Sequence, residues 1–330
     1  MNHASTIALP SYRMKGSPAQ ATLPGTLVRP PVTPRVFTLK HSAAFDGSGY
    51  PIFTRRWEAQ GETPLHEHLF YEIVVVESGT VEHFSAEGVR KLHVGDLIVI
   101  KPHIWHQYKN PRNFGIVNCL FDRRILMNQK TFFSLVESAF ELFVRPAGPS
   151  AMVPPVFLHA SPAQRERINQ IVNDLLRERR EKLIDWEAAL LVHLQDLIIL
   201  ISRLYHGIFP QEERSLSDET RDFCNEIVMY LESRFREKIS LADLSKKFHV
   251  SASYLSRVFK RRMGMGLIDY VNRLRVEEAC RLLSTSDWSI ARIAGEVGYD
   301  EIAYFSRRFR HETGQSAREY RKAATTGVNV

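Results

Sequence analysis

The sequence predicts a multi-domain chain of the α+β class: a small N-terminal β-barrel, a helical pair, and an all-α C-terminal domain built on a duplicated unit. Three observations predict it. Short runs rich in Val, Ile and Phe, punctuated by Gly, Asn and Pro, fill residues 36–145. A helical period takes over from Ser161. From Glu219 onward no convincing strand pattern occurs, and one heptapeptide is written almost twice, YLSRVFK at 254–260 and YFSRRFR at 304–310. At 330 residues there is room for two or three domains with real cores, and 44% hydrophobic with 25% charged residues suits a globular protein.

Residues 1–35 carry no apolar h-region and are rich in Pro, Ser and Thr, which reads as a flexible arm without a secretory signal. Within 36–145 the runs Glu72–Glu77, Val81–Ser85, Leu97–Ile100 and Gly115–Phe121 read as strands, with Pro102 and Pro111 closing two of them. Such spacing fits a small barrel or sandwich better than a parallel α/β sheet. Cys119, Cys224 and Cys280 form neither a disulfide framework nor a zinc signature, so a reducing cytoplasm is expected.

Residues 146–212 read as a helical dimerisation segment and linker. Ser161-Pro162 is a capped helix start, and Ile168, Ile171, Val172, Leu175 and Leu176 mark one face. The next helix places Leu190, Leu194, Leu197, Ile201 and Leu204 at alternating four- and three-residue steps, a coiled-coil-like seam. The seam is read as a subunit interface, with packing against the barrel as the alternative. Its apolar stretch, Ala188–Leu204, is broken by His193, Gln195, Asp196 and Arg203, so it reads as a buried helix and no membrane is expected. His206–Asp218 is polar and turn-rich, as a linker would be.

The net charge of +7 is informative once located. From Lys246 to Val330 there are 16 Lys and Arg against 9 Asp and Glu, so the rest of the chain nets zero. The basic surplus therefore lies with the repeat. Leu241, Ala242, Leu244, Ser245 and Phe248 align with Ile290, Ala291, Ile293, Ala294 and Val297 at an offset of 49. Tyr254, Leu255, Ser256, Arg257, Phe259 and Gly264 align with Tyr304, Phe305, Ser306, Arg307, Phe309 and Gly314 at an offset of 50. The extra residue falls in the turn, within Gly298–Glu301. Each unit, about 241–264 and 290–314, is a helix, a tight turn and a second helix: the helix-turn-helix plan within 213–330. In the first unit Leu255, Val258 and Phe259 are expected inside, leaving Ser253, Ser256, Arg257 and Lys260 outward. In the second, Phe305 and Phe309 are inside, and Ile302, Ala303, Ser306, Arg307 and Arg310 face out. Small residues beside arginine are what a major groove accepts, so double-stranded DNA is the expected partner.

These residues resemble the DNA-binding domain of the AraC/XylS family of bacterial transcription regulators. The likeness spans about 219–322, with Leu267–Leu283 as the linking helix and GYDEIAYFSRRFRHETGQSAREYR (298–321) matching the family's closing signature. Ala317 stands where the family usually has proline, and Ala303 where serine is common. With Ile302, Ala303 implies that the second unit meets thymine methyls or binds mainly phosphate.

In the barrel region HEHLFYEIVVVESG places His66, His68 and Glu72 ahead of Gly79, and GDLIVIKPHIWH ends on His106. His66 and His68 share a strand face. This is the cupin pattern, although Ile104 replaces the usual glycine, and the stretch is similar to the sensory domains of sugar-responsive family members such as the rhamnose and melibiose regulators. The resemblance implies an effector site of His66, His68, Glu72, Trp105 and His106, with an aromatic wall such as Tyr71, Trp105 or Tyr108. A divalent metal on His66, His68, Glu72 and His106 is the competing occupant; no cofactor is required. His83, His93 and His103 read as ordinary structural histidines.

The expectation is a cytoplasmic, dimeric, effector-responsive activator of carbohydrate or other carbon-source genes, not an enzyme. Its partners would be DNA, a small molecule such as a sugar, RNA polymerase and a second copy. The alternatives are a metal-dependent cupin enzyme with a helical assembly tail, and a regulator sensing a non-sugar molecule.

Overall fold

The computed structural model describes residues 37–39, 50–122, 124–125, 132, 136, 139–144, 155–208 and 218–325. The expected N-terminal arm and the linker residues 209–217 lie outside that set. Among the described residues the strands come first: β1 Phe37–Leu39, β2 Ile52–Trp57, β3 His66–His68, β4 Tyr71–Ser85, β5 Gly88–His93, β6 Asp96–Ile100, β7 Gln107–Phe121 and β8 Val156–His159. The helices follow: α1 Pro162–Glu181, α2 Trp186–Ile208, α3 Asp218–Arg234, α4 Leu241–Lys247, α5 Ala252–Met263, α6 Leu267–Thr285, α7 Ile290–Glu296, α8 Ile302–Thr313 and α9 Ala317–Thr325. A π-helical turn, Phe140–Val144, lies between β7 and β8.

One antiparallel sheet runs β2-β7-β4-β6-β8 with β5 on β4, while β1 pairs with β3 in parallel. A bridge between His66 and His106 ties β3 to the start of β7. The alternation expected of a half-buried sheet is missing from the first half of β4, where Tyr71–Val76 are all buried. Both faces of this sheet are covered, so both parities are apolar. Tyr71, Ile73 and Val75 face the core shared with the helices, while Val74 and Val76 face the barrel interior with Ile98, Ile100 and Tyr108.

The sheet departs from the sequence reading in three places. Glu72–Glu77 and Val81–Ser85 are one 15-residue strand, carried through bulges between Val76 and Glu82. Gly79 makes this possible with φ 67°; a Cβ there would lie 2.1 Å from the Asn113 carbonyl oxygen. Pro111 does not end a strand but lies inside β7, where Asn110 and Asn113 adopt left-handed φ of 53° and 48°. The sheet also extends past residue 145, because β8 pairs with β6.

The helical pair begins as expected. Ser161 and Gln164 form a reciprocal capping box with Pro162 at the first position. The seam on α2 is a correction. Leu190, Leu194, Leu197 and Ile201 have no exposure and Leu204 has 7%, all in the core shared with α1 and the back of the sheet. The alternative, packing within the chain, is what the structure shows. This α2 helix is also the one helix among the described residues long and apolar enough to cross a membrane.

The C-terminal region is helical throughout, as expected. Offsets of 49 between α4 and α7 and of 50 between α5 and α8 reproduce the repeat. His249 (φ 54°) and Gly298 (φ 94°) make the two turns; a Cβ on Gly298 would lie 2.4 Å from the Arg236 carbonyl oxygen. Ala317 starts α9 without proline, capped instead by mutual hydrogen bonds between Ser316 and Glu319. Cys119, Cys224 and Cys280 are free and buried.

Candidate effector and nucleic-acid sites

The strand pairing that holds β3 against residues 103–106 gathers the histidines. His66 and His106 exchange backbone hydrogen bonds of 3.0 and 2.8 Å, and the His103 amide donates to the His68 carbonyl at 2.8 Å. Glu72, on the interior face of β4, then meets His68 Nε2 at 3.0 Å and His106 Nε2 at 3.4 Å. All are buried: His68 and His106 show no exposure, Glu72 5% and His66 7%. Burial alone would raise the Glu72 carboxyl, but His106 and His68 beside it, which donate to it whenever their rings are protonated, override it and hold the group well below the usual carboxylate range.

Each imidazole directs Nδ1 at a backbone carbonyl: His68 at Phe70 (2.7 Å), His66 at Pro64 (2.9 Å) and His106 at Ile104 (3.3 Å). A carbonyl only accepts, so Nδ1 carries the hydrogen and a neutral ring leaves Nε2 as a bare acceptor. The ligand atoms of His68, Glu72 and His106 lie within 4.8 Å of one another. Three converging acceptors need a shared proton or a cation between them. Two imidazole nitrogens and a carboxylate, with the imidazoles oriented by carbonyls, fit a divalent transition ion. His66 stands beside this trio, its ring 4.1 Å from that of His106, and is not one of the three. Bound there, such an ion would act as a Lewis acid toward an oxygen ligand.

The other expected pocket residues divide. Trp105 is half-buried. Tyr71 is not an interior wall: its hydroxyl donates to the Phe143 carbonyl and its ring stacks on Phe121, on the opposite face of the sheet from Glu72. Tyr108 does face the interior. His93 and His103 fit the structural account, His93 lying exposed near Asp96. His83 does not: it is fully buried, stacked 5.7 Å from His106, with no partner for either ring nitrogen among the described residues. Sequence reasoning missed it, although it shares the buried parity of Val81 and Ser85. A half-open groove of about 490 Å³ lies elsewhere, between β4, β6 and α1, lined by Glu77, Arg165, Asn169 and Asn173 among others.

The two helices that end the repeated units present the expected faces. Ser251 caps α5 by accepting from the Tyr254 amide, and Gly264 (φ 73°) ends it. Leu255, Val258 and Phe259 are buried, Ser253, Arg257 and Lys260 are exposed, and Ser256 is intermediate. On α8 Phe305 and Phe309 are buried, while Ile302, Ala303, Ser306, Arg307 and Arg310 are exposed. The Ser306 hydroxyl donates back to the Ile302 carbonyl at 2.8 Å, which ties it to its own helix. Arg257 lies over Tyr254 and Arg307 over Tyr304, at 5.7 and 5.9 Å, so the contact repeats in register. Among the described residues Arg257, Lys260 and Arg307 have no acidic partner, and Arg310 has only the exposed Glu319 nearby, whereas Arg236, Arg273, Arg281 and Arg308 of the same region are ion-paired. Cations left unpaired together on two equivalent helices form a surface for a polyanion.

Comparison with known proteins agrees with this geometry. A helix-turn-helix domain model matches residues 244–323, and an AraC-like ligand binding domain model matches residues 50–182. The chain belongs to the AraC/XylS family of transcription regulators. Among its relatives, the HTH-type transcriptional activator RhaS of Enterobacter sp. (strain 638) is 25% identical over 295 residues, covering 86% of this chain and 97% of RhaS. RhaS of Salmonella arizonae is 27% identical over 297 residues, with the same coverage. Of solved structures, ToxT from Vibrio cholerae O395 is 14% identical over 84% of this chain and 98% of ToxT, with a TM-score of 0.43. This AraC/XylS-family protein is thus a DNA-binding, effector-responsive transcription activator, with its ligand-binding domain on the barrel and α1 and its DNA-binding domain in the helices from α4 onward. Family membership sets it among transcription regulators.

Proposed function

We propose that the protein is a cytoplasmic, homodimeric activator of carbohydrate or other carbon-source genes that works with RNA polymerase. Domain limits of 36–145, extended to β8, for the sensor and 213–330 for DNA binding suit this reading. The observation that carries it is that Arg257 and Lys260 on α5 and Arg307 on α8 face outward without an acidic partner among the described residues. In this reading Ser253, Ser256, Arg257 and Lys260 enter one major groove. Ile302, Ala303, Ser306, Arg307 and Arg310 enter the next, about 34 Å along the same DNA face. A sugar effector is supported by the likeness of the barrel to sugar-responsive regulators, with His66, His68, Glu72, Trp105 and His106 around its site.

The dimer needs a surface other than the buried seam. Leu183 (61% exposed) and Ile184 (93%) before α2, with Val192 (60%) on it, leave apolar side chains in water on the far side of the pair. The test of DNA recognition is footprinting at the protein's own promoter targets. Arg257→Ala should weaken specific binding by roughly 1–3 kcal/mol, the worth of a bidentate base contact. Unchanged protection by that variant would remove α5 from the interface.

A further inference from the structure

We propose that His83 and Tyr108 form a second half of the interior site, holding a hydroxyl oxygen against the ion-binding trio of His68, Glu72 and His106. The inference rests on the reading of the barrel interior as the effector site and adds two residues to it. His83 on β4 and Tyr108 on β7 are direct cross-strand partners, so the sheet itself sets them side by side, with ring centroids 5.4 Å apart. Exposure is nil for His83 and 2% for Tyr108. Neither His83 nitrogen nor the Tyr108 hydroxyl has a hydrogen-bond partner among the described residues.

What surrounds them is apolar on one side and the candidate metal-ligand trio on the other. Phe157 meets the His83 ring edge-on at 5.4 Å, and Phe114 lies 5.5 Å from Tyr108. Toward the trio, the His83 ring lies nearly parallel to His106, 5.7 Å away at 16°. A structural role would be met by phenylalanine at both positions without stranding polar atoms. A neutral imidazole offers one donor and one acceptor, and a phenol offers both. Their natural complement is a hydroxyl, which gives and takes one hydrogen bond while its oxygen coordinates a cation. Water and the hydroxyl of a sugar share that chemistry. A trio of protein ligands leaves coordination positions for such an oxygen.

The test uses the full-length protein, stripped with a chelator and titrated with Co(II), whose visible absorption reports its ligands. L-rhamnose, D-xylose and glycerol are then added as hydroxyl-bearing probes. Wild type should bind one equivalent of Co(II). His83→Phe and Tyr108→Phe should also bind one equivalent, with an altered spectrum and a melting temperature unchanged or raised. Any probe that changes the wild-type spectrum should act roughly ten-fold more weakly on the variants. If no probe changes the wild-type spectrum while the variants' spectra still differ from it, the oxygen is water: the pair keeps its role and the sugar reading fails. Variants indistinguishable from wild type in spectrum and probe midpoint would overturn the proposal, as would wild type that takes up no Co(II). Should a phenylalanine variant not fold, His83→Asn, which keeps a polar group but moves it, should give the same spectral change.

Discussion

Arg262 shows how much a single residue can join. It lies in the last turn of α5, is 7% exposed, and its guanidinium donates to Glu141 of the π-helical turn at 2.5 Å while lying 4.5 Å over the Phe140 ring. The second helix of the first helix-turn-helix unit is thereby anchored to the sensor by a buried charge. Arg262→Ala should cost about 3–5 kcal/mol in urea unfolding, because it removes one half of a buried ion pair with Glu141. Arg262→Met combined with Glu141→Leu should recover most of that loss, and an equally unstable double variant would assign the cost to packing. His66 offers a second test at this scale. Burial, followed by the neighbouring His106, pushes its pKa down to about 3, against roughly 6.5 for a free imidazole. A base with a depressed folded pKa binds fewer protons folded than unfolded. Its stability is therefore complete above about pH 6.5 and lost as the pH falls toward 3. Chelator-treated His66→Leu should show a flatter acid limb than wild type in melts between about pH 7 and 4; parallel limbs would assign the acid sensitivity to another group. The pocket histidines were legible because their spacing is a pattern. His83 was not, since only the cross-strand register reveals that its ring lies beside Tyr108 and His106.

At the scale of elements, α2 carries two apolar surfaces, and sequence periodicity alone does not say which one meets the rest of the chain. Four- and three-residue steps describe any long helix packed in a groove as well as a coiled coil. The structure resolves this by placing Leu194 and Leu197 in the chain's own core and leaving Val192 in water. Leu197→Glu should therefore unfold or precipitate the protein, since it buries an unpaired carboxylate. Val192→Glu should leave stability within about 0.5 kcal/mol and turn a dimer into a monomer in sedimentation velocity. An unaltered dimer would move the interface off this face. The long strands were half-legible for a related reason. Period-two alternation breaks wherever both sheet faces are covered, as over Tyr71–Val76, and the bulges that carry β4 through Gly79 depend on Asn113 of β7. The duplicated helices were fully legible, because each packs mainly through local contacts that the repeat writes out twice.

At the scale of the molecule, the two helix-turn-helix units stand in different relations to the sensor. Leu244, Leu255, Phe259 and Met263 of the first unit share one continuous core with the back of the sheet, the helical pair and the first half of α6. The second unit has a core of its own, in which Phe305, Phe309 and Tyr320 pack on the second half of α6; the barrel reaches it through Leu69 and through β1, which runs beside α9. A ligand shifts only those equilibria in which its site takes part. Occupancy of the barrel should therefore be felt in α5 before α8, through the shared core and the Glu141–Arg262 pair. Cooperative units in hydrogen exchange follow contiguous cores. Amides near Phe305 and Phe309 should thus open more readily than those near Leu255 and Phe259. Loading the stripped protein with Co(II) should slow exchange in α5 and leave α8 nearly unchanged. Equal protection gained in both helices would show that α6 couples the two cores into one unit, and that a signal from the barrel reaches both helix-turn-helix units together.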